Sequence, residues 1–299
     1  MEFISTKCAI CGTPGNADVV YKASLDEKTF SVEVFSARRL PDRRHYQWVR
    51  CRKCDLLRSD PILNVDLADL YEKSTFDYSS EVNGLKRAYV YITKKALAPK
   101  KLAGSVLEVG GGNGFYLEAA LEAGFSSAHA VEPSIEAVNA SRPDIKQNTI
   151  IDMMKPGLIP DASHDVVAMF HVMDHLPDPL GTVQVCASAL RSGGTFVVAV
   201  HNFNSWSSRL MRRKSPIVDV EHTYLYTKKT VAELFKAAGL INIRTGSYRN
   251  LYSLSYLVHL IPLPNRVKLG ILNSGLGRIL QKVKISVPLG NMWASGEKP

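Results

Sequence analysis

Residues 105–114 read SVLEVGGGNG, from Ser105 to Gly114. Val106, Leu107 and Val109 form a short apolar run that carries one acid, Glu108, and passes straight into Gly110, Gly111, Gly112, Asn113 and Gly114. A helix-like segment, Phe115 to Ala123, follows. Strand, glycine turn and helix together predict the first unit of a doubly wound α/β domain. The glycines let the backbone come close to a ligand and take angles that a Cβ forbids. A dinucleotide fingerprint started at Gly110 would need glycine at 115, where Phe115 stands. The spacing present is instead E-x-G-x-G-x-G, Glu108 through Gly114. A tight turn with no ligand is the plainer alternative.

The chain beyond this turn continues the same alternation. Ala128 to Val131 reads as a second strand and ends in Glu132-Pro133-Ser134. An acid at that strand end accepts hydrogen bonds from ribose hydroxyls, a feature that NAD enzymes share. Asn148 to Ile151 is a weak third strand followed by Asp152 and Met153, and Asp165 to Phe170 is a buried fourth. His171 then stands where ligands bind in open α/β sheets, at the carboxyl edge of a strand. His175 fits a helix start, and the spacing of His171, Asp174 and His175 also permits a metal. A helix over Leu180 to Leu190 and strands over Thr195 to Val200, Asn242 to Tyr252 and Asn291 to Lys298 complete the expected sheet. Asn265 to Ile285 mixes apolar and basic residues, as a surface helix pair broken at Gly275 and Gly277 or an interfacial helix would.

Four of the five cysteines form two pairs, Cys8-x-x-Cys11 and Cys51-x-x-Cys54. Two such knuckles predict a four-thiolate structural Zn2+ site. Alternating strands over Val19 to Tyr21, Phe30 to Phe35 and Tyr46 to Val49 would bring them together. Cys186, alone on an expected helix, reads as core. MEFISTKC at the start has no apolar signal segment, and the apolar stretch Leu251 to Pro264 is too short to span a bilayer. A cytoplasmic location is therefore expected. The formal net charge of +9 is uneven: residues 101–200 hold 5 Lys+Arg against 11 Asp+Glu, whereas residues 201–299 hold 15 against 4. A basic final third suits an anionic partner, a membrane surface or simply a solvated face.

The motifs also carry a resemblance. E-x-G-x-G-x-G resembles motif I of the class I S-adenosylmethionine (SAM)-dependent methyltransferases. His171 to Pro179, HVMDHLPDP, is similar to the H-V-L-E-H-L-x-D-P segment of small-molecule methyltransferases. His201 to Ser205 resembles their P-N-x-x-S with histidine in place of proline, and Glu221 to Thr227, EHTYLYT, their E-H-x-x-Y-F-S/T. The zinc-knuckle segment around Cys51, with Asp55 where glycine is usual, and the aromatic connector through Tyr71 and Tyr78 resemble those of sugar C-methyltransferases.

The resemblance implies a Rossmann-like seven-stranded methyltransferase sheet with a small N-terminal zinc-binding unit. It divides the chain into a unit at 1–60, a helical connector at 61–104 and the methyltransferase domain at 105–299. SAM would be held by Glu108, Gly110, Gly112, Gly114, Glu132, Pro133, Asp152, Met153 and Phe170. His222, oriented by Glu221, would serve as general base, with His171 as second candidate. The acceptor would be a small, anionic molecule such as a nucleotide-linked sugar. An O-methyltransferase of a lipid-like or quinone acceptor at a membrane surface is the alternative. A nucleic-acid-associated protein is a third reading, weakened by the lack of an N/D-P-P-Y/F segment after the fourth strand and of any RRM-like pattern. Oligomeric state does not follow from these motifs.

Overall fold

A computed structural model describes residues 2–25, 44–64, 82–261 and 263–299. The strand expected at Phe30 to Phe35 and the connector aromatics Tyr71 and Tyr78 lie outside these residues. The N-terminal unit holds β1 (Phe3–Ile4), β2 (Ala17–Tyr21), β3 (Trp48–Cys51), β4 (Leu57–Ser59) and β5 (Ile62–Leu63). Helix α1 (Val82–Leu97) follows, then β6 (Ser105–Val109), α2 (Phe115–Glu122), β7 (Ser127–Val131), α3 (Ile135–Asn139), α4 (Pro143–Gln147) and β8 (Thr149–Ile150). The second half runs β9 (His164–Phe170), α5 (Pro179–Ala189), β10 (Leu190–His201), α6 (Trp206–Met211), β11 (Tyr224–Leu225) and α7 (Lys228–Ala237). It ends with β12 (Ile241–Ser247), β13 (Asn250–Ser253), α8 (Leu254–Leu260), α9 (Asn265–Leu272), α10 (Gly275–Lys282), β14 (Lys284–Val287) and β15 (Asn291–Glu297).

The central sheet has seven strands in the order β12-β15-β10-β9-β6-β7-β8. β8, β7, β6, β9 and β10 are parallel, and β15 is antiparallel to both of its neighbours. Strands covered on both faces by helices read as nearly continuous apolar runs. That is why every residue of β6 is buried, Glu108 included. On one face α1 and α2 bury Leu85, Tyr89, Ile92, Tyr116 and Leu117; on the other, α5 and α7 contribute Val183, Cys186, Leu234 and Phe235. From β6 the chain winds outward to β7 and β8, then returns across β6 to β9 and β10. The reversal between β6 and β9 opens a crevice at the carboxyl ends of those two strands.

Three features depart from the sequence-based layout. The N-terminal sheet, ordered β11-β4-β3-β2, takes its edge strand from residues 224–225, so the Cys-bearing unit is hydrogen-bonded into the larger domain. The strand expected over Asn242 to Tyr252 divides in two: β12 stays in the central sheet, and β13 leaves it to pair with β14. That ribbon closes off a helical insertion, α8 to α10. Within it the break falls at Asn273-Ser274 rather than at Gly275 and Gly277. The Ser274 hydroxyl accepts the Gly277 N–H and caps α10, which puts both glycines in its first turn. Among the described residues no helix is long and apolar enough to cross a membrane.

Candidate active site

The glycine turn leaves β6 through three left-handed positions, Gly110 (φ 76°), Gly112 (φ 52°) and Gly114 (φ 74°). Their reasons differ. A Cβ on Gly114 would lie 2.5 Å from Ile145 Cγ2, and one on Gly110 would collide with Val172 Cγ2. A Cβ on Gly112 would meet nothing within 4 Å, so the turn is open at its middle glycine, which lines a cavity of about 1480 Å³. Gly114→Ala should therefore lower stability by ~2 kcal/mol or more, the sum of left-handed strain and overpacking. Denaturant titration against Gly112→Ala, which carries the strain alone, checks this.

Glu132 follows β7 directly beside the turn. Its Oε2 accepts the Gly112 N–H at 2.7 Å and its Oε1 the Ser134 N–H at 2.8 Å. Burial nonetheless raises its pKa. Burial, with the neighbouring Glu132 charge, pushes the Glu108 carboxyl well above the usual range. Glu108 Oε2 and Asn113 Oδ1 are buried without a hydrogen-bond partner. A ligand with hydroxyl and ammonium donors meets what these groups lack. SAM has both, and the open face at Gly112 leaves room for its approach. Pro133, Asp152, Met153 and Phe170 line the same cavity. The Asp152 carboxylate accepts the Met153 N–H at 2.7 Å and pairs with Lys155 at 2.5 Å.

Past the end of β9, which pairs directly with β6, four histidines surround Asp174. His171 follows β9 in a left-handed conformation, φ 54°, with its Nε2 3.0 Å from the Tyr248 hydroxyl. His171 and His201 have ring centroids 4.7 Å apart, His175 and His222 4.7 Å, and His201 and His222 5.4 Å. Asp174 is 1% exposed, and neither carboxylate oxygen accepts a hydrogen bond. His175 Nε2 lies 3.7 Å from Oδ1, and His222 Nε2 3.8 Å from Oδ2. Burial opposes ionisation of Asp174, but the ring of imidazoles, His175 foremost, holds its pKa down at about 2. Burial keeps His171 neutral, lowering its pKa to about 3, and lowers His222 well below its ordinary value. The ligand atoms of His171, Asp174 and His201, and of Asp174, His175 and His222, lie within 4.8 Å of one another.

The carboxylate set against His222 is thus Asp174. Glu221, expected to orient that ring, lines the cavity, and its backbone carbonyl pairs with His175 Nδ1 at 3.0 Å. Sequence reasoning singled out Asp174 only as a metal ligand and treated His201 only as a departure from proline. His201 Nδ1 donates to Asn291 Oδ1 at 3.1 Å, because the Asn291 amide is turned to donate to the Tyr252 hydroxyl. The 221–224 loop is held from two sides. Thr223 N and Tyr224 N donate to the Asp174 carbonyl at 2.8 and 3.1 Å. From the N-terminal unit, the Ser59 hydroxyl donates to the His222 carbonyl at 3.1 Å, and Ser59 N to the Thr223 carbonyl at 2.9 Å.

Cys8, Cys11, Cys51 and Cys54 gather in that unit, all four Sγ atoms within 4.8 Å of one another. Cys8 and Cys54 are 3.3 Å apart, and Cys11 and Cys51 3.6 Å. A tetrahedral ion with Zn–S bonds of about 2.3 Å spaces its sulfurs about 3.8 Å apart. The cluster fits a small zinc unit.

A family model described as a methyltransferase domain matches residues 83–245, more than half of the chain. A ubiquinone biosynthesis O-methyltransferase of Psychrobacter cryohalolentis is 29% identical over 146 residues, 46% of this chain and 56% of that protein. A probable S-adenosylmethionine-dependent methyltransferase of Mycobacterium tuberculosis is 28% identical over 156 residues, 51% of this chain and 54% of that one. The chain thus spans about half the length of these curated relatives. Among solved structures, phosphoethanolamine N-methyltransferase 2 of Haemonchus contortus in complex with SAM aligns with a TM-score of 0.50. It is 16% identical over 81% of this chain and 63% of that chain, a likeness of fold. With its seven-stranded sheet, glycine turn and matched domain, the chain belongs to the methyltransferase-domain family of class I SAM-dependent methyltransferases.

Proposed function

We propose that this chain transfers the methyl group of SAM to a small molecule held between the glycine turn and the histidine cluster. The observation that carries the reading is the Glu132 carboxylate bonded to the Gly112 N–H at the mouth of the open turn. When bound, SAM supplies an electrophilic methyl on a sulfonium. The chain's own part is to bind, orient and exclude water. Glu108, Gly110, Gly112, Gly114, Glu132 and Pro133 would hold the donor, with Asp152, Met153 and Phe170 lining the rest of its place in the cavity. His222 takes the acceptor's proton: its Nδ1 is buried without a partner, and its ring borders the cavity. Glu221 and His171 line the same cavity, and His171 is the second candidate for the base. The four cysteines hold one structural Zn2+.

Two acceptor classes suit this frame. The Glu-His pair favours a nucleotide-linked sugar, as in the sugar C-methyltransferases the sequence resembles. The wall beyond the histidines favours a lipid-like or quinone acceptor, because Trp206, Leu210, Met211, Leu257, Leu260 and Ile261 line it. That second class is also the one named for a relative.

Calorimetric titration tests the donor. SAM should bind the wild-type chain, and Glu132→Ala should weaken it roughly tenfold or more, the worth of one hydrogen bond to a charged group. NAD should give no heat. Binding of NAD without SAM would overturn the proposal.

A further inference from the structure

The helical insertion between β13 and β15 has its apolar stripe on the wrong side for a surface helix. In α10, Leu276 and Ile279 stand at i and i+3, with Val283 at i+7 just past its end, and they are 55%, 61% and 43% exposed. A stripe of this kind ordinarily faces the core. Val267 and Leu269 of α9 and Ile261 and Leu263 before it are exposed as well. Across the same cavity, α6 exposes Trp206 and Leu210, at 61% and 76%. These two segments hold nine of the sixteen large hydrophobic residues exposed among the described residues, so the exposure is concentrated rather than scattered.

The charges carried by these two segments are of one sign, although the exposed Glu136 and Asp178 line the same cavity. Residues 202–218 and 254–290 contain no Asp or Glu. Arg209 lies on α6 with Arg212, Arg213 and Lys214 just past it, Arg266 lies on α9, and Arg278 and Lys282 lie on α10; all seven are exposed. The two segments also touch, since the Ser207 hydroxyl donates to the Leu289 carbonyl. Both reach the cavity, which Leu210 and Lys214 line from one side and Leu260 and Ile261 from the other. The cavity wall is therefore continuous with the apolar surface outside.

The geometry points to a docking surface for an anionic lipid bilayer, formed by α6 and the α8–α10 insertion around the mouth of the cavity. Exposed aliphatic and tryptophan side chains enter the acyl boundary, and the arginines and lysines meet anionic headgroups, as in an interfacial helix. An acceptor dissolved in the membrane would enter the cavity without crossing water. That last step rests on the methyl-transfer reading; the docking itself does not.

Co-sedimentation of the full chain with phosphatidylcholine vesicles, with and without phosphatidylglycerol, tests the surface. Binding should require phosphatidylglycerol and weaken as salt rises. Leu276→Asp/Ile279→Asp should lower it by roughly tenfold or more, and so should Arg278→Gln/Lys282→Gln. A third variant, Trp206→Ser/Leu210→Asp, covers failure of either to fold. Three results would overturn the proposal: no binding at low salt, binding that none of the variants changes, or a dimer in gel filtration that Ile279→Asp dissociates without any vesicle binding. The last would make the occupant a second copy of the chain. SAM calorimetry on the same samples separates the two readings. Vesicle binding without SAM binding would leave the surface in place and remove the enzyme assignment.

Discussion

His222→Ala is expected to lower kcat by about 10²–10⁴-fold on the true acceptor, the usual contribution of a positioned general base. SAM affinity should stay within a few-fold, because His222 is not among the residues proposed to hold the donor. The proposed base is placed by backbone and by charge. Asp174 accepts the Thr223 and Tyr224 N–H groups through its carbonyl and faces the His222 ring through its carboxylate. Burial, then the neighbouring His175, keep the imidazole well below its ordinary pKa, so it is neutral and its lone pair is available throughout the neutral range. Turnover limited by this group should therefore show no inflection near pH 6.5 and should fall only in more acidic solution, where the ring protonates. Asp174→Asn keeps the shape and removes the charge. It should lower kcat with little change in SAM binding. Near-full turnover by His222→Ala would show the residue to be a structural tie. A screen of nucleotide sugars, phenolic compounds and lipid acceptors has to precede the kinetics.

Metal removal should have the second large effect. One equivalent of zinc per chain is expected at Cys8, Cys11, Cys51 and Cys54, and Cys51→Ser should lose it. For small structural sites the binding free energy is folding free energy, of apparent size about 10–16 kcal/mol. The N-terminal unit should then unfold before the central sheet. Its loss should also be felt in catalysis, because β4 pairs with β11 and Ser59 holds the His222 and Thr223 carbonyls. Releasing that grip displaces the base, and a displacement of about 1 Å can cost roughly 10²-fold in rate. Elemental analysis, thermal unfolding and turnover, measured on the same preparation, check the chain of effects. A metal-free wild-type protein with an ordered N-terminal unit and full turnover would contradict it.

The sheet was legible because its signals are local. SVLEVGGGNG announces strand and turn through adjacent residues, and DVVAMF announces a doubly buried strand by composition alone. The pairing of Glu132 with the glycine turn was legible for the same reason, since Glu132 follows its strand directly. The histidine cluster was not. Asp174 comes from the loop after β9, His201 from the end of β10 and its partner Asn291 from the start of β15, and no spacing along the chain announces that meeting. The split of the sixth strand was equally hidden, because β13 finds its partner β14 only after three helices.

The sequence by itself determined the doubly wound domain, the glycine turn with its acid, the two cysteine knuckles and the excess of basic charge in the final third. These depend on period, composition and short-range backbone geometry, which adjacent residues carry. Tertiary structure alone decided which carboxylate faces His222, that the cysteine unit grips the loop bearing it, and that the apolar stripe of α10 points outward. Each of these is a contact, or a missing contact, between segments far apart in the chain. Burial and hydrogen bonding select among such pairings only once the whole chain has folded.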